Sequence, residues 1–542
     1  MNARRQVSES RALAIAVALA TLLALGLRAW NITGQVVLDD EWHAIHKLAR
    51  SSYWNIFRSF GVADHSIPLT LFYKAMADTI GLAEGRLRVL QIACGTALVP
   101  VAAWLAWRAT RDAAAAGLLA FLAAGAPFLV LWSRFARPYA VMVLLTTLCI
   151  GMLWHWRTHR SRRAGAWIAA TAALSAWFHP LSAMYAALGW LFVFVEDATA
   201  PARCIPRPSR ASIRLALGMG LAALVLLGPP VAHDLHSLRE KSGGERPGLE
   251  TYERAISLFW GGLPTPVLGA CMLLAAWGAI VVLRRDRRLG LYLLLVALGP
   301  PAAVSVMGAI WMSEGQNFAR YVLPTQVFLL FFGAVGATSL ARALVPARGE
   351  AAAWVAAGVL AAAYLAATPT IAYVATLGPW FAHLSYHWDY RYRWLAGERG
   401  DGRYEPPPFY RRLGRMAPGT ATLIEAPFVW EAPFDPYAYY ATFYRQRELF
   451  GMLDPLCRED QRVGEPPARD RRFRFRLFVF LDDRDAVRNS GARYLIVHRS
   501  FPRPRPFPEA DRCVAKLAAL YGPPIENDAR VAVFDLKPSE RR

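Results

Sequence analysis

The chain is 542 residues long, 55% hydrophobic and 19% charged, with a formal net charge of +21. A soluble chain rarely carries so much apolar sequence, and near-continuous apolar runs recur up to about residue 370, so the class is a polytopic membrane protein. The basic surplus falls in short clusters between those runs rather than on one face or arm, which excludes nucleic acid as a partner and points to membrane topology.

The first apolar run, 11–30, follows Arg4 and Arg5 and is about long enough to cross a ~30 Å hydrocarbon core. Ala18-Leu19-Ala20 has the small-residue spacing of a signal-peptide cleavage site, but the run continues past it, and an uncleaved first span is expected. Directly after it stands Val37-Leu38-Asp39-Asp40-Glu41-Trp42-His43, with three acids where the chain leaves the bilayer. Carboxylates there cost free energy unless solvated, paired or used. Asp39 suits a helix cap, and Asp40 and Glu41 are the candidate working pair. Within the same loop, 31–88, short helices are expected over 40–51 and, amphipathic and interfacial, over 67–80. Between them Asp64 and His65 could approach Asp40 and Glu41 and share a divalent cation, although a surface turn before Pro68 explains them almost as well.

Apolar runs near 11–30, 89–107, 113–132, 138–156, 165–178, 180–196, 213–233, 263–283, 289–311, 320–341 and 350–370 give about eleven spans, the fifth being short. Alternate loops carry Arg108 and Arg111, then Arg157, Arg160, Arg162 and Arg163, then Arg203, Arg207, Arg210 and Arg214, then Arg284, Arg285, Arg287 and Arg288, then Arg342 and Arg348. The positive-inside rule then puts the N-terminus in the cytoplasm and, after an odd number of spans, the tail outside it.

Against that trend, the external stretch Ser133-Arg134-Phe135-Ala136-Arg137-Pro138-Tyr139-Ala140 carries two arginines, which ask for an anionic partner or anchor to headgroups. His179 before Pro180 sits at another external turn, where a lone histidine is more often a satisfied interfacial residue. Arg320 and Tyr321 stand at the outer edge of a late span, where a guanidinium can grip a lipid-linked phosphate in bidentate fashion or snorkel to headgroups.

From about 371 the composition changes, with Pro406-Pro407-Pro408 and many arginines. Strands are expected at 421–424, 477–481, 494–497 and 531–534 and helices at 482–490 and 508–520, making a small α/β domain over 371–542 beside a transmembrane domain over 1–370. Of six cysteines, Cys457 and Cys513 are the pair that could form an external disulfide. His155 with His159, and His383 with His387, repeat an i, i+4 spacing without an acidic third ligand. Asp483-Arg484-Asp485 has a DxD form but opens a helix, where capping explains it. No Walker loop, GxGxxG or GxSxG occurs.

The acidic pair Asp40-Glu41 after the first span, Ile67-Pro68-Leu69-Thr70-Leu71-Phe72-Tyr73 following His65, Arg137-Pro138-Tyr139-Ala140 after the third span and Ala319-Arg320-Tyr321-Val322-Leu323-Pro324 before a late span occur in that order. In that order they resemble the GT-C superfamily of membrane glycosyltransferases, in particular the protein O-mannosyltransferase and lipid A aminoarabinose transferase branch. The resemblance covers about residues 10–340. It implies transfer of a hexose or pentose from a polyprenyl-phosphate donor to an acceptor hydroxyl of a glycan, lipid or protein on the extracytoplasmic side, with inversion. One acid, Asp40 or Glu41, would be the base, and Arg320 would hold the donor phosphate, with Arg137 and Tyr321 beside it. His65, Tyr139 and His179 would support. Many relatives place a second carboxylate close to Pro138-Tyr139, where this chain has none. A lipid-linked-sugar flippase without transferase chemistry is the alternative, although no internal repeat is evident and the acids cluster at one face.

Overall fold

Long apolar helices dominate the computed structural model, which describes residues 3–35, 37, 41, 45, 48–199, 209–241, 243–371, 374, 406–428, 444, 446–453, 456–457, 472–499 and 509–536. The chain divides into two units: Met1–Trp30, Ser52–Leu71 and Val89–Ala372 form the first, and Asn31–Ser51, Phe72–Arg88 and Tyr373–Arg542 the second. The loop expected as one piece over 31–88 is thus shared between them.

Among the described residues, nine helices of the first unit are long and apolar enough to cross a membrane, or ten if a bent pair counts as one span. The expected eleven exceeds this by two features. The run at 113–132 is the bent pair, Ala113–Gly125 and Pro127–Ser133, turned by 55°. Ala126 precedes a proline and so leaves the helical region (φ −60°, ψ 116°), while Pro127 opens the second helix at the position where its missing N–H costs nothing. The run at 165–178 is the helix Arg162–Phe178, whose 17 residues lie at the lower limit for a span.

Open carbonyls at helix ends need donors in a low-dielectric interior. Two arginines supply them. Arg28 is wholly buried and donates to the carbonyls of Ala123 and Ala124 at the end of Ala113–Gly125. Arg134 donates to Leu27, Arg28 and Trp30 at 3.0, 3.1 and 2.8 Å, closing the end of Ala3–Ala29. Backbone carbonyl dipoles thus hold the Nη1 group of this guanidinium. Elsewhere Asp112 caps Ala113–Gly125 and accepts both Nη1 and Nη2 of Arg342, at 2.6 and 2.9 Å, which ties together segments 230 residues apart. Helices Thr265–Arg285 and Pro324–Leu344 cross where only glycine fits: a Cβ on Gly278 would lie 1.9 Å from the Phe332 carbonyl oxygen, and one on Gly336 1.9 Å from that of Leu274.

The second unit holds a six-stranded sheet of order β3-β2-β1-β4-β6-β5: β1 Thr422–Ala426, β2 Arg447–Met452, β3 Phe478–Phe480, β4 Tyr494–His498, β5 Glu526–Asn527 and β6 Val531–Asp535. β3, β2, β1 and β4 run parallel, and β6 pairs antiparallel with β4 and β5. Helices Pro408–Leu413, Arg484–Asn489 and Ala510–Tyr521 complete it among the described residues, so this part is the expected small α/β fold. Asp483 caps Arg484–Asn489 through the N–H groups of Asp485 and Ala486, and Cys457 is bonded to Cys513. Buried polar groups cross the sheet. His498 Nε2 lies 2.9 Å from Glu425 Oε2, and the Tyr410 hydroxyl donates to the same carboxylate at 2.8 Å. Burial holds the His498 imidazole down to about 3, so it is neutral.

Residues 72–88 join this unit through specific bonds. Leu82 pairs with Phe473, and the Glu84 carboxylate accepts the N–H groups of Arg476 and Leu477 at 2.6 and 2.9 Å. Of the helix expected over 40–51, the described part is Glu41, Ile45 and a 3₁₀ turn Leu48–Arg50, while that expected over 67–80 is Ile67–Thr79.

Candidate active site

Four segments of the first unit converge at one set of helix ends. The first is the loop before Ile67–Thr79, where Asp64 (φ 43°) and His65 (φ 59°) are consecutive left-handed residues without being glycine. Such backbone costs on the order of 1–3 kcal/mol per residue unless the surroundings fix it. His65 N–H bonds the Phe60 carbonyl at 2.8 Å, Thr70 Oγ1 bonds the Ala63 carbonyl at 3.1 Å, and the His65 ring stacks on Phe60. Asp234 braces the loop from outside by accepting Ser59 Oγ at 2.6 Å and Gly61 N–H at 2.9 Å.

The second segment is the turn 134–138 that follows the bent helix pair. It delivers Arg137, whose Nη1 makes an ion pair with Asp64 Oδ2, and then Tyr139 at the first position of Tyr139–His159. His179, the third contribution, ends Arg162–Phe178 in extended backbone (φ −154°, ψ 110°) because Pro180 follows. Its ring centroid lies 5.4 Å from Tyr139 and 5.4 Å from Tyr321. Last comes the short helix Gly315–Tyr321, which sets the Arg320 guanidinium 5.1 Å from the Tyr321 ring, 5.8 Å from Tyr139 and 5.9 Å from Trp132. Ring faces at these distances attract a guanidinium and fix its plane.

Electrostatics follow from burial. His65 is pushed down to about 4 by burial, helped by Lys241 and Arg137 and opposed by Asp64 and Asp234. His179 falls to about 3, again mainly through burial, with Arg137, Arg320 and His65 adding to it. Both imidazoles are neutral near pH 7 and each has a buried Nδ1 without a hydrogen-bond partner. Neutral imidazoles and two guanidiniums beside aromatic faces suit a negatively charged group with an apolar or sugar-like attachment.

Asp64, His65, Arg137, Tyr139, His179, Arg320 and Tyr321, each legible as a candidate in the sequence, therefore stand together. Glu41 belongs to the second unit, where both its oxygens are taken: Arg88 Nε donates to Oε1 at 2.9 Å and Nη2 to Oε2 at 2.6 Å, with both side chains buried. Arg88 Nη1 also donates to the Gln35 carbonyl at 2.7 Å and the Glu84 carbonyl at 3.2 Å, stitching 32–41 to 84–88. Asp40 lies outside the described residues, as do Asp39, His43, His383 and His387. Of the residues expected to share a divalent cation, Asp64 is paired with Arg137 and Asp40 lies outside the described residues, among which no three His, Cys, Asp or Glu side chains gather closely enough to hold a metal.

Sequence reasoning missed Arg88, Asp234 and Lys241. Asp234 had a signal, an acid four residues after Pro229-Pro230 in an otherwise apolar helix, where the backbone leaves helical angles (φ −139°, ψ 40°). Nothing local marked Arg88.

Apolar helices and an α/β unit define a polytopic helical membrane protein, with this cluster of cations, imidazoles and aromatic rings at its helix ends. No family model matches the chain, and no curated protein matches it. It is similar to two crystal structures of ArnT from Cupriavidus metallidurans, one bound to undecaprenyl phosphate and one in the apo state. Each is 14% identical, covers 97% of this chain and 98% of its own, and has a TM-score of 0.44. It is also similar to a cryo-EM structure of the arabinofuranosyltransferase AftD from Mycobacteria, 17% identical over 97% of this chain and 41% of that one, with a TM-score of 0.43.

Proposed function

We propose that this chain is a GT-C-type membrane glycosyltransferase that moves a sugar from a polyprenyl-phosphate donor to an acceptor hydroxyl, with inversion at the anomeric carbon. The observation that carries the reading is the convergence of Arg137 and Arg320 with His65, His179, Tyr139 and Tyr321, a set chosen for charge and ring faces rather than for a nucleotide.

In this reading Asp40 takes the proton of the acceptor hydroxyl as its oxygen attacks the anomeric carbon, and the carrier leaves as polyprenyl phosphate. Arg320 and Arg137 stabilise the charge that grows on the departing phosphate, and a fixed guanidinium does so without reorganising. Glu41, held by Arg88, positions the segment that carries Asp40. Asp64, brought to Arg137 from another loop, supplies the carboxylate that the sequence lacks at Pro138-Tyr139. Topology supports an extracytoplasmic site: Tyr139 opens the helix that ends at Arg157 and His159, so site and basic cluster occupy opposite ends of one span. The N-terminus would then be cytoplasmic, and the 371–542 domain would face the acceptor outside.

Asp40→Asn tests the assignment. Purified variant in lipid should fold as the parent does, bind donor and release no polyprenyl phosphate, measured by mass spectrometry of lipid-linked sugars and glycosylated product. Full transfer by the variant would remove Asp40 as base. Sugar translocation across vesicles by the parent protein without any product would replace the transferase with a flippase.

A further inference from the structure

A cavity lies within the first unit, apart from the candidate transfer site. It encloses about 440 Å³ between helices Val89–Thr110, Tyr139–His159, Arg287–Met307 and Pro324–Leu344, a size within the usual range of small-molecule sites. Its body is apolar, built from side chains such as Leu105, Ile150, Leu293 and Phe331, and its opening carries Arg108, Arg111, His155 and His159. Those four are exposed, and Arg111 stacks on Trp107 at 4.7 Å. Among the described residues no carboxylate pairs with Arg108 or Arg111, whereas Arg157 and Arg160 nearby are paired with Glu196 and Asp197. His155 and His159, dismissed as a metal pair, stack at 4.2 Å on this rim.

Position excludes the transfer site as the source of this arrangement. His155 is sixteen residues beyond Tyr139 on one helix, about 24 Å along its axis at ~1.5 Å per residue. An apolar slot in a membrane protein takes a hydrocarbon chain, and unpaired guanidiniums at its mouth take an anionic head. On the slot wall Leu105 packs directly onto Gly151, where a Cβ would meet Leu105 Cδ2 at 2.3 Å, so a larger side chain at 151 would push Leu105 into the slot.

We propose that this cavity binds one anionic phospholipid of the leaflet opposite the transfer site, its chain in the slot and its phosphate on Arg108 and Arg111. Native mass spectrometry of the full-length protein, titrated with phosphatidylglycerol or phosphatidylcholine of identical chains, tests it. The expected result is one phosphatidylglycerol retained about tenfold more tightly than phosphatidylcholine, from two basic residues near an anionic group. Arg108→Gln/Arg111→Gln should erase that preference while leaving weak binding of both lipids, and Gly151→Leu should abolish retention of either. Equal retention of the two lipids by the parent, or a preference that survives the double arginine variant, overturns the proposal. So does displacement of the lipid by free glycerol phosphate, which would mean a headgroup site without a chain slot. None of these outcomes depends on the transferase reading.

Discussion

Replacing Glu41 by Gln should damage the protein through Arg88 before it touches chemistry. The Glu41–Arg88 pair is bidentate and has no more than 1% side-chain exposure on either partner. Removing one partner of such a pair leaves a buried guanidinium facing a neutral amide, which typically costs about 3–5 kcal/mol, whereas replacing both by apolar groups of similar volume is often near neutral. Arg88 would still donate to the carbonyls of Gln35 and Glu84, so the expected loss lies at the lower end, about 3 kcal/mol. The assay is thermal unfolding of Glu41→Gln, Arg88→Met and the apolar double variant Glu41→Leu/Arg88→Met in one detergent, with donor turnover measured on the same samples below the transition. Each single variant should melt well below the parent, and the double variant should recover most of the difference, since contacting partners are not additive. Turnover should follow the folded fraction. If Glu41→Gln melts with the parent and yet loses turnover, Glu41 is a chemical group and the positioning role is wrong.

Arg320→Lys keeps the charge but loses the planar fork and ring stacking, so it should raise KM for the lipid donor roughly tenfold or more and lower kcat as well, seen in steady-state kinetics with purified donor. His65 is neutral in the fold down to about 4, against an ordinary value near 6.5, so the unfolded chain binds the proton first and stability falls as pH drops from about 6.5 to about 4, then levels off. His65→Asn, which tolerates the left-handed backbone, should remove that component, leaving a flatter melting temperature across the same window. Cys457→Ser/Cys513→Ser opens a cross-link between residues 56 apart and should destabilise the second unit by about 4 kcal/mol on loop-entropy grounds, read as earlier proteolysis of the C-terminal sheet.

What the sequence revealed depended on the range of the cause. Apolar runs dictate helices locally, so the spans were legible, and even the bent one carried its reason in Ala126-Pro127. The strands Tyr494–His498 and Val531–Asp535 showed as apolar runs because they are buried on both faces. Arg447–Met452 did not, because Glu448 interrupts its apolar pattern, and that acid is buried through the Tyr444 hydroxyl at 2.8 Å, a partner outside the strand. Arg137, His179 and Arg320 could be found because a cation or imidazole at the end of an apolar run needs a partner somewhere. Which partner was not legible. Arg134 and Arg137 stand three residues apart with the same side chain, yet one closes a helix end and the other meets Asp64 across 73 residues. Glu41 is the same case in reverse, since its use is decided by Arg88, 47 residues away.

At the converging loops cations and carboxylates act together on two imidazoles. Arg137, Arg320 and Lys241 act on the two imidazoles, against Asp64 and Asp234. Asp234 spends its carboxylate on Ser59, Gly61 and Ser237, and Asp64 spends one oxygen on Arg137. Burial keeps His65 and His179 neutral beside these charges. In the proposed reading the donor is a singly charged group on an apolar tail, because the tail can remain in the bilayer while the head meets the guanidiniums. A neutral imidazole has one donor and one acceptor nitrogen, and Nδ1 of each ring has no hydrogen-bond partner among the described residues.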